Sequence, residues 1–354
     1  MENSSAFWST LNRSMEEEMM NFVLVSLSVV SSLFYCSAIA GKFVPHGTAR
    51  FLAVCPVICL FLYLPLFLNT VSLGATISFM ISWLANFRLL LFAFGRGPLS
   101  SPLSFPNFVL VAILPIKVRV RTNSGLKTHK SPLNYAAKAA LEAVVIYLLS
   151  RYRSLLHPKL VTSLYCFHIY ISLEFWLAIM AALARALARL EIDPGFDEPY
   201  LASSLQDFWG RRWNLIVAST LRPAVYDPVR RVAATWMGRE WASMAAVVAT
   251  FSVSGLMHEL ILYHVERRKP TWEMTGFFLL HEVCLGLEIR VKKALNIGKF
   301  GLPWMVSGPM VILFVVFTGS CLFFPPIVRC ETDIRTGRET AAVLDFVKHL
   351  TYLD

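Results

Sequence analysis

Long apolar segments recur along the whole chain and limit the folds that it can adopt. A helix needs about 20 apolar residues to cross a hydrocarbon core that is about 30 Å thick. The segments that meet or approach this length are 20–40, 51–68, 73–94, 134–150, 160–184, 241–263, 274–289 and 304–324. They predict an all-α polytopic membrane protein with eight spans.

A shorter apolar segment, 105–116, lies between two of these spans and is bracketed by Pro106 and Pro115. A segment of this kind indicates a re-entrant or half-spanning helix, whose open backbone must be buried in protein. We therefore expect about eight to nine transmembrane helices in total.

Composition and charge agree with a membrane protein. Hydrophobic residues make up 56% of the chain and charged residues 16%, whereas soluble domains are about 45–50% apolar and about 25% charged. The formal net charge of +10 raises the question of a nucleic-acid partner. Basic residues such as Lys117 and Arg119, however, lie in short loops between apolar segments, as they do in cytoplasmic membrane loops. No basic soluble module with interleaved aromatics is present, so nucleic-acid binding is not expected.

The cysteines do not indicate a metal site or a disulfide framework. The chain has seven cysteines, which is an odd number, and most of them lie in apolar segments. No CxxC pair and no spacing typical of zinc ligands occurs. We expect these cysteines to act as small buried hydrophobic residues.

Three parts of the chain are distinguished by their pattern. Residues 1–19 precede the first apolar run and contain Glu16, Glu17 and Glu18, where a secretory signal would need positive charge, so the first apolar run is expected to be a retained anchor. A single membrane domain is predicted over 20–325, followed by a carboxyl-terminal tail over 326–354. Within the domain, 185–240 is the longest non-spanning region, amphipathic and Trp-rich, and suited to the membrane interface.

His258 is an ionisable residue within the apolar stretch 252–260. Such a residue is expensive inside a membrane and suggests a functional site. Imidazole titrates near neutrality and suits a general base. The alternative is a histidine that only packs between helices. Zinc is a poor explanation, because the i+4 position is Leu262 and His264 lies on a different helical face.

A polar and aromatic run over 204–214 interrupts the apolar pattern with two Trp, two Arg, an Asp and an Asn. The Asn214 amide can donate hydrogen bonds to a developing oxyanion without titrating, although it could equally be a loop-capping residue. Arg211, Arg212 and Gln206 could contact the phosphates of an anionic ligand. They could equally hold the loop to headgroups or pair with Asp207.

Other polar residues lie inside predicted spans. Lys138 and Glu142 are spaced i, i+4, which predicts an ion pair between them that reduces their cost in the membrane. Asn86 with Arg88, Glu174 and Glu282 could line a tunnel or brace helices, and bracing is favoured.

The run 200–214, with the sequence YLASSLQDFWGRRWN, resembles the signature of plant wax synthases. These are long-chain-alcohol O-fatty-acyltransferases within the membrane-bound O-acyltransferase superfamily. The segment 254–259, SGLMHE, is similar to the histidine segment of that family. Its pattern is also matched by 83–94, 114–117 and 164–168, with the sequences WLANFRLLLFAF, LPIK and LYCFH.

The resemblance implies a multi-helix fold around an internal tunnel, with fatty acyl-CoA entering from the cytosol and a lipid alcohol from the bilayer. Matching motif positions gives His258 the role of the catalytic histidine and Asn214 that of the second active-site residue. Acyl-CoA would be a co-substrate, with no cofactor and no metal, and the endoplasmic reticulum membrane the expected location. The candidate substrate-binding residues are Gln206, Asp207, Trp209, Arg211, Arg212 and Trp213.

The function that follows is esterification of a long-chain fatty alcohol to a wax ester, with release of CoA. A sterol or triterpenol acceptor is the alternative within the class. A transporter with His258 as a proton relay would need inverted repeats and broken helices in both halves, and the sequence has neither. A membrane scaffold leaves His258 unexplained. No G-x-S-x-G nucleophile elbow is present, so direct transfer without an acyl-enzyme is expected.

Overall fold

The computed structural model describes residues 2–119, 132–294 and 304–351. These residues are almost entirely helical, with one pair of two-residue strands, Lys117–Val118 and Ile192–Asp193, which pair antiparallel. The α-helices of seven or more residues, labelled in chain order, are α1 Glu2–Phe34, α2 Thr48–Tyr63, α3 Val71–Ile77, α4 Asn86–Ala93, α5 Phe105–Ile113, α6 Pro132–Tyr152, α7 Pro158–Ala188, α8 Leu215–Leu221, α9 Asp227–Glu266, α10 Glu273–Ala294, α11 Trp304–Thr318 and α12 Thr332–Thr351.

Short π- and 3-10 segments join several of these helices into longer runs. Seven runs within the described residues are long and apolar enough to cross a membrane: Met15–Phe43, Thr48–Phe67, Val71–Ala93, Leu133–Tyr152, Pro158–Ala188, Leu215–Glu266 and Met305–Arg329. Each covers all or nearly all of one predicted span. The prediction of an all-α polytopic membrane protein is therefore confirmed.

The remaining predicted span, 274–289, forms helix α10 but is not among these seven runs. Glu282, Glu288 and Arg290 interrupt its apolar residues. The described residues therefore give seven candidate spans and not the eight or nine expected. Helix α5 has nine residues and is about 14 Å long, too short to cross the hydrocarbon core. Its re-entrant path stays a prediction.

Helix α9 joins the predicted interfacial region to the predicted span 241–263. It is bent at Gly238, which has φ 76° and ψ 165°, outside the helical region. Glycine adopts a positive φ without a steric penalty and can break a helix there. The bend lies close to the predicted limit between 185–240 and 241–263. The predicted non-spanning region is nevertheless helical from Leu215 onward, and its location at the membrane interface stays a prediction.

The chain divides into two compact units. The first contains Met1–Ile113, Leu260–Pro270 and Val328–Asp354, and the second contains Leu114–Glu259 and Thr271–Ile327. The domain predicted over 20–325 and the tail over 326–354 stay predictions.

In the first unit, carboxylates hold the start of α3. Glu18 accepts hydrogen bonds from the backbone N–H groups of Asn69 and Thr70, at 3.0 Å to Oε1 in each case. Glu339 accepts from Val71 N at 2.6 Å and from Ser72 N at 3.0 Å. The first N–H groups of a helix have no partner within it, and negative charge is favourable at that end. Both carboxylates therefore stabilise the helix terminus.

Buried polar residues in the first unit also brace helices. Asn86 Nδ2 donates to the carbonyls of Ile58, at 3.2 Å, and Ser82, at 3.1 Å. Arg88 is 3% exposed, and its Nη1 donates to the carbonyl of Val111 at 2.5 Å. These contacts agree with the bracing role favoured for Asn86 and Arg88.

In the second unit, the predicted ion pair between Lys138 and Glu142 is wrong. Lys138 Nζ lies 2.9 Å from Glu174 Oε2 and 3.0 Å from Glu198 Oε2. Glu142 Oε1 is instead hydrogen-bonded to His168 Nδ1 at 2.7 Å. An isolated i, i+4 pair gives little stabilisation, whereas a buried ammonium needs full compensation. Two carboxylates from elsewhere in the chain supply it for Lys138, so Glu174 has a bracing role.

Candidate active site

The predicted signature 204–214 folds into a loop that is fixed by its own side chains. Ser204 Oγ accepts from Asp207 N at 3.1 Å, and Asp207 Oδ2 accepts in return from Ser203 N at 3.2 Å. This exchange is close to a capping box and starts the short helix Leu205–Asp207. Glu288 on α10 accepts from Leu205 N at 2.7 Å. The loop is therefore anchored to α10 at its first residues.

Arg212 is used within the loop. Its Nε donates to Asp207 Oδ2 at 2.7 Å, and its Nη1 donates to the Asp197 carbonyl at 3.1 Å. Partial burial opposes ionisation of Asp207, but hydrogen bonds from Arg212 and Ser203 outweigh it and lower the pKa of that carboxyl. Of the three alternatives left open by the sequence, pairing with Asp207 is present for Arg212. Arg211 and Gln206 are exposed.

Both tryptophans of the signature pack into an aromatic cluster. Trp213 stacks on Phe208 with ring centroids 5.3 Å apart, and Trp209 packs edge-on against Trp213 at 6.3 Å. Trp209 also contacts Phe251 at 5.6 Å and Phe278 at 5.9 Å. Aromatic rings at such separations prefer offset or edge-to-face geometry and stabilise one another. The tryptophans thus connect the loop to α9 and α10.

Asn214 is held in the left-handed region, with φ 37° and ψ 66°, and caps the start of α8. Its Oδ1 accepts from Val217 N at 3.3 Å. Backbone hydrogen bonds lie on both sides of it, from Leu215 N to the Gly195 carbonyl at 2.7 Å and from Asp197 N to the Arg212 carbonyl at 3.0 Å. The capping role left open by the sequence is thus present. It uses only the acceptor, and the described chain offers no acceptor to Nδ2.

His258 presents one nitrogen to its own helix and one away from it. Its Nδ1 lies 2.7 Å from the Ser254 carbonyl. A carbonyl can only accept, so Nδ1 carries the proton and Nε2 is the basic nitrogen. Nε2 has no hydrogen-bond partner among residues 2–119, 132–294 and 304–351, and the side chain is half-buried. The ring contacts Phe278 at 4.7 Å and Phe323 at 5.4 Å.

Phe278 brings the two predicted motifs together. Its ring contacts His258 on one helix and Trp209 of the loop. Trp213, which packs on Trp209, is followed directly by Asn214. One aromatic cluster in the second unit therefore joins His258 to the Trp209–Trp213 side of the signature. The arrangement presents an unprotonated imidazole nitrogen in apolar surroundings, which suits proton removal from a hydroxyl group.

Comparison with known proteins points to one family. A sequence model of the membrane bound O-acyl transferase family matches residues 192–280, which include both Asn214 and His258. A long-chain-alcohol O-fatty-acyltransferase of Simmondsia chinensis is 41% identical over 94% of this chain and 97% of its own length. The chain belongs to the wax synthase family. The acyl-CoA–sterol O-acyltransferase 1 of Arabidopsis thaliana is 42% identical over 92% of this chain and 95% of its own length.

Membership of the wax synthase family makes the chain a multi-pass membrane acyltransferase, with an acyl donor and an alcohol or sterol acceptor as its substrates. The family favours the enzyme over the transporter and scaffold alternatives. The catalytic roles of His258 and Asn214, and the substrate-binding roles of the neighbouring loop residues, stay predictions.

The sequence analysis did not identify His281 as a candidate residue of this member of the wax synthase family. This residue is 0% exposed, and both ring nitrogens are engaged, with Trp209 Nε1 at 3.0 Å and Thr318 Oγ1 at 2.8 Å. The signal that could have found it was the one used for His258, an ionisable residue that follows four apolar ones, 277–280. Glu282, the next residue, is buried and makes no hydrogen bond to the described residues.

A cavity of about 250 Å³ lies in the second unit beside α7. It is lined by Glu174, Arg185 and Asp193 together with apolar residues that include Leu177 and Phe196. Phe196 also contacts Trp213, with ring centroids 5.2 Å apart. Neither His258 nor Asn214 lines this cavity, so it is not assigned to the predicted tunnel, which stays a prediction.

Proposed function

We propose that the protein transfers a fatty acyl group from acyl-CoA to a long-chain fatty alcohol and releases a wax ester and CoA. The observation that carries the proposal is the hydrogen bonding of the His258 ring, which determines which nitrogen is basic. Its Nδ1 is held by the Ser254 carbonyl, and Nε2 is left basic within the aromatic cluster that includes Trp209 of the signature. The names of the relatives support acyl transfer to a fatty alcohol.

The proposed reaction needs no covalent acyl-enzyme. His258 Nε2 takes the hydroxyl proton while the alcohol oxygen forms a bond to the thioester carbonyl carbon. The Ser254 carbonyl, which accepts from Nδ1, stabilises the imidazolium that results. The tetrahedral intermediate then collapses, the carbon–sulfur bond breaks, and the departing thiolate of CoA receives the proton from Nε2. Binding both substrates together supplies the rate advantage of proximity.

Asn214 is the proposed partner for the oxyanion. Its Oδ1 is fixed on Val217 N, so the amide cannot rotate freely and its NH₂ group has a set direction. A fixed amide donor stabilises negative charge without reorganisation at the moment of reaction. Asn214 would thus combine a structural acceptor with a catalytic donor.

Arg211 and Gln206 are the proposed contacts for the CoA phosphates, because both are exposed in the same loop. A guanidinium suits bidentate phosphate binding. Arg212, Asp207, Trp209 and Trp213 hold the loop in shape and have a supporting role in binding. Acyl-CoA is the co-substrate, with no cofactor proposed, and the endoplasmic reticulum membrane is the proposed location.

A sterol acceptor is the second candidate, because one relative of 42% identity is named a sterol acyltransferase. A rigid four-ring acceptor needs a wider cavity than a flexible chain does. Chain length is discriminated only weakly, at about 1–3 kcal/mol per methylene in an apolar site. We therefore expect a range of alcohols and acyl groups to be used, and activity on fatty alcohol and sterol at comparable rates is not expected.

The test uses the full chain expressed in yeast that lacks its own neutral-lipid acyltransferases. Microsomes receive labelled acyl-CoA with fatty alcohol, sterol and diacylglycerol together, and microsomes with His258→Ala are the matched control. We expect the wax-ester band to carry the most label. Label in steryl esters alone would move the proposal to the second candidate. Absence of every ester at normal expression would refute acyl transfer.

A further inference from the structure

The hydrogen-bond partners of His281 fix which ring nitrogen accepts and which donates. The indole N–H of Trp209 can only donate, so His281 Nδ1 is the acceptor and Nε2 carries the proton. Nε2 then donates to Thr318 Oγ1 at 2.8 Å, and Oγ1 donates to the Phe314 carbonyl at 2.7 Å. Every ring proton and lone pair of His281 is used, so the imidazole is neutral and has no site left for a substrate.

The same histidine also fixes the Trp209 ring by contact. Phe277, Phe278 and His281 follow one another at helical spacing and share one face of α10. Trp209 packs edge-on to His281, with ring centroids 5.4 Å apart, and contacts Phe277 at 6.2 Å and Phe278 at 5.9 Å. The hydrogen bond selects one orientation of the indole on this surface, because only one edge of the ring carries the N–H.

The fixed indole lies between the two predicted catalytic elements. Phe278 contacts His258 at 4.7 Å as well as Trp209. On the other side, Trp209 packs on Trp213, the residue before Asn214. A rotated Trp209 would leave its N–H unsatisfied in a partly buried site. It would also change its packing on Phe278, which contacts His258, and on Trp213, which precedes Asn214. Displacements of about 1 Å can lower a rate about 10²-fold.

We infer that His281 is a positioning residue for acyl transfer. It orients Trp209 and thereby holds the signature loop against Phe278, whose ring also contacts His258. The inference rests on the proposed function. It adds to His258 and Asn214 a third residue, which makes no contact with substrate and acts through Trp209.

The test is a double-mutant cycle between the two partners in the full chain. Trp209→Phe keeps an aromatic ring but removes the N–H, and His281→Leu keeps a similar volume but removes the acceptor. We expect each variant to lower kcat by about 10- to 100-fold, with the KM for acyl-CoA changed less than about threefold. Because both remove the same bond, the double variant should be no slower than the slower single variant.

A matched control separates positioning from a general effect of losing a buried histidine. His264 is 1% exposed and also has both ring nitrogens bonded, to Ser78 and to the Leu62 carbonyl, within the first unit. His264→Leu should lower the midpoint of thermal unfolding and leave kcat of the folded protein unchanged. An equal fall of kcat in His264→Leu and His281→Leu would overturn the inference, as would normal kcat in His281→Leu or additive losses in the cycle.

The unmodified protein separates this inference from the proposed function. Ester synthesis by the wild type together with normal kcat in His281→Leu refutes only the positioning role. Failure of the wild type to form any ester refutes the proposed function itself.

Discussion

Helix α9 carries two histidines fewer than two turns apart that are bonded in different ways. His264 is 1% exposed, donates from Nε2 to the Leu62 carbonyl at 3.0 Å and accepts at Nδ1 from Ser78 Oγ at 2.6 Å. His258 is half-buried, and among the described residues only its Nδ1 has a hydrogen-bond partner. Both residues lie in an apolar part of the same helix. The number of ring nitrogens already bonded is what separates a packing histidine from a candidate base.

The two histidines show when an ionisable residue in a membrane helix indicates a functional site. An ionisable side chain in an apolar helix suggests function, but complete hydrogen bonding supplies a structural reason to keep it. His264 has that reason within the first unit. In the part of the chain that the structure describes, His258 has such a partner for Nδ1 but none for Nε2, so hydrogen bonding alone does not explain this residue.

The largest effect is expected at His258. Replacement by Ala should lower ester formation by about 10²–10⁴-fold, as removal of a general base does. The protein should still accumulate in membranes, because the hydrogen bond that His258 makes to the described residues joins it only to the backbone of its own helix. Initial rates in microsomes, normalised to immunoblotted protein, measure the effect. Near-normal turnover at normal expression would show that His258 is not the general base and is, like His264, a packing histidine.

A somewhat smaller effect is expected at Asn214. Asn214→Ala should lower the rate by about 10²-fold or more, as loss of an oxyanion donor does. Part of that loss would be structural, because Ala is strained at a φ of 37° and removes the cap of α8.

Asn214→Asp isolates the chemical part of the loss. Aspartate keeps an acceptor for Val217 N and tolerates the left-handed region, but it has no N–H to donate and repels negative charge. It should be no more active than Asn214→Ala in the same assay. Restoration of activity by Asp would assign Asn214 to the cap alone.

The smallest effect on catalysis is expected at the packing histidine. His264→Ala leaves the Ser78 hydroxyl and the Leu62 carbonyl without their partner, which costs about 1–3 kcal/mol for each buried group left unsatisfied. Thermal unfolding followed in detergent should therefore shift to lower temperature, while kcat stays within about twofold of the wild type. A fall in kcat at unchanged stability would show that His264 takes part in catalysis and would contradict its assignment as a packing histidine.

Much of the fold could be predicted because membrane spans are read locally. The span over 134–150 agrees with Leu133–Tyr152, since length and apolarity decide it without any knowledge of neighbours. Helix α10 shows the limit of this reasoning, because its apolar residues are interrupted by charges such as Glu288, which binds the signature loop. Hydropathy alone does not reveal that Glu288 is needed there.

Contacts between side chains distant in sequence were harder to predict than the helices themselves. Lys138 and Glu142 are neighbours on a helix, yet Lys138 pairs with Glu174 and Glu198, which are distant in sequence. His281 could have been identified as an ionisable residue in an apolar helix. Its hydrogen bond to Trp209 could not have been predicted, because the two residues are far apart in sequence and their spacing follows no helical pattern. His258 and Asn214 were identified from the resemblance to a family. No contact joins their side chains among the described residues, and their catalytic roles stay predictions.

The carboxylates at the start of α3 have a consequence for the order in which the protein is completed. Glu18 is made before Asn69 and Thr70 and can bind them as soon as they appear. Val71 and Ser72 must wait for Glu339, which lies 268 residues after Val71. A ribosome adds about 5–20 residues each second, so the first turn of a membrane helix stays incompletely bonded for roughly a quarter of a minute or longer. The first turn of α3 can therefore be fully bonded only after Glu339 has been made.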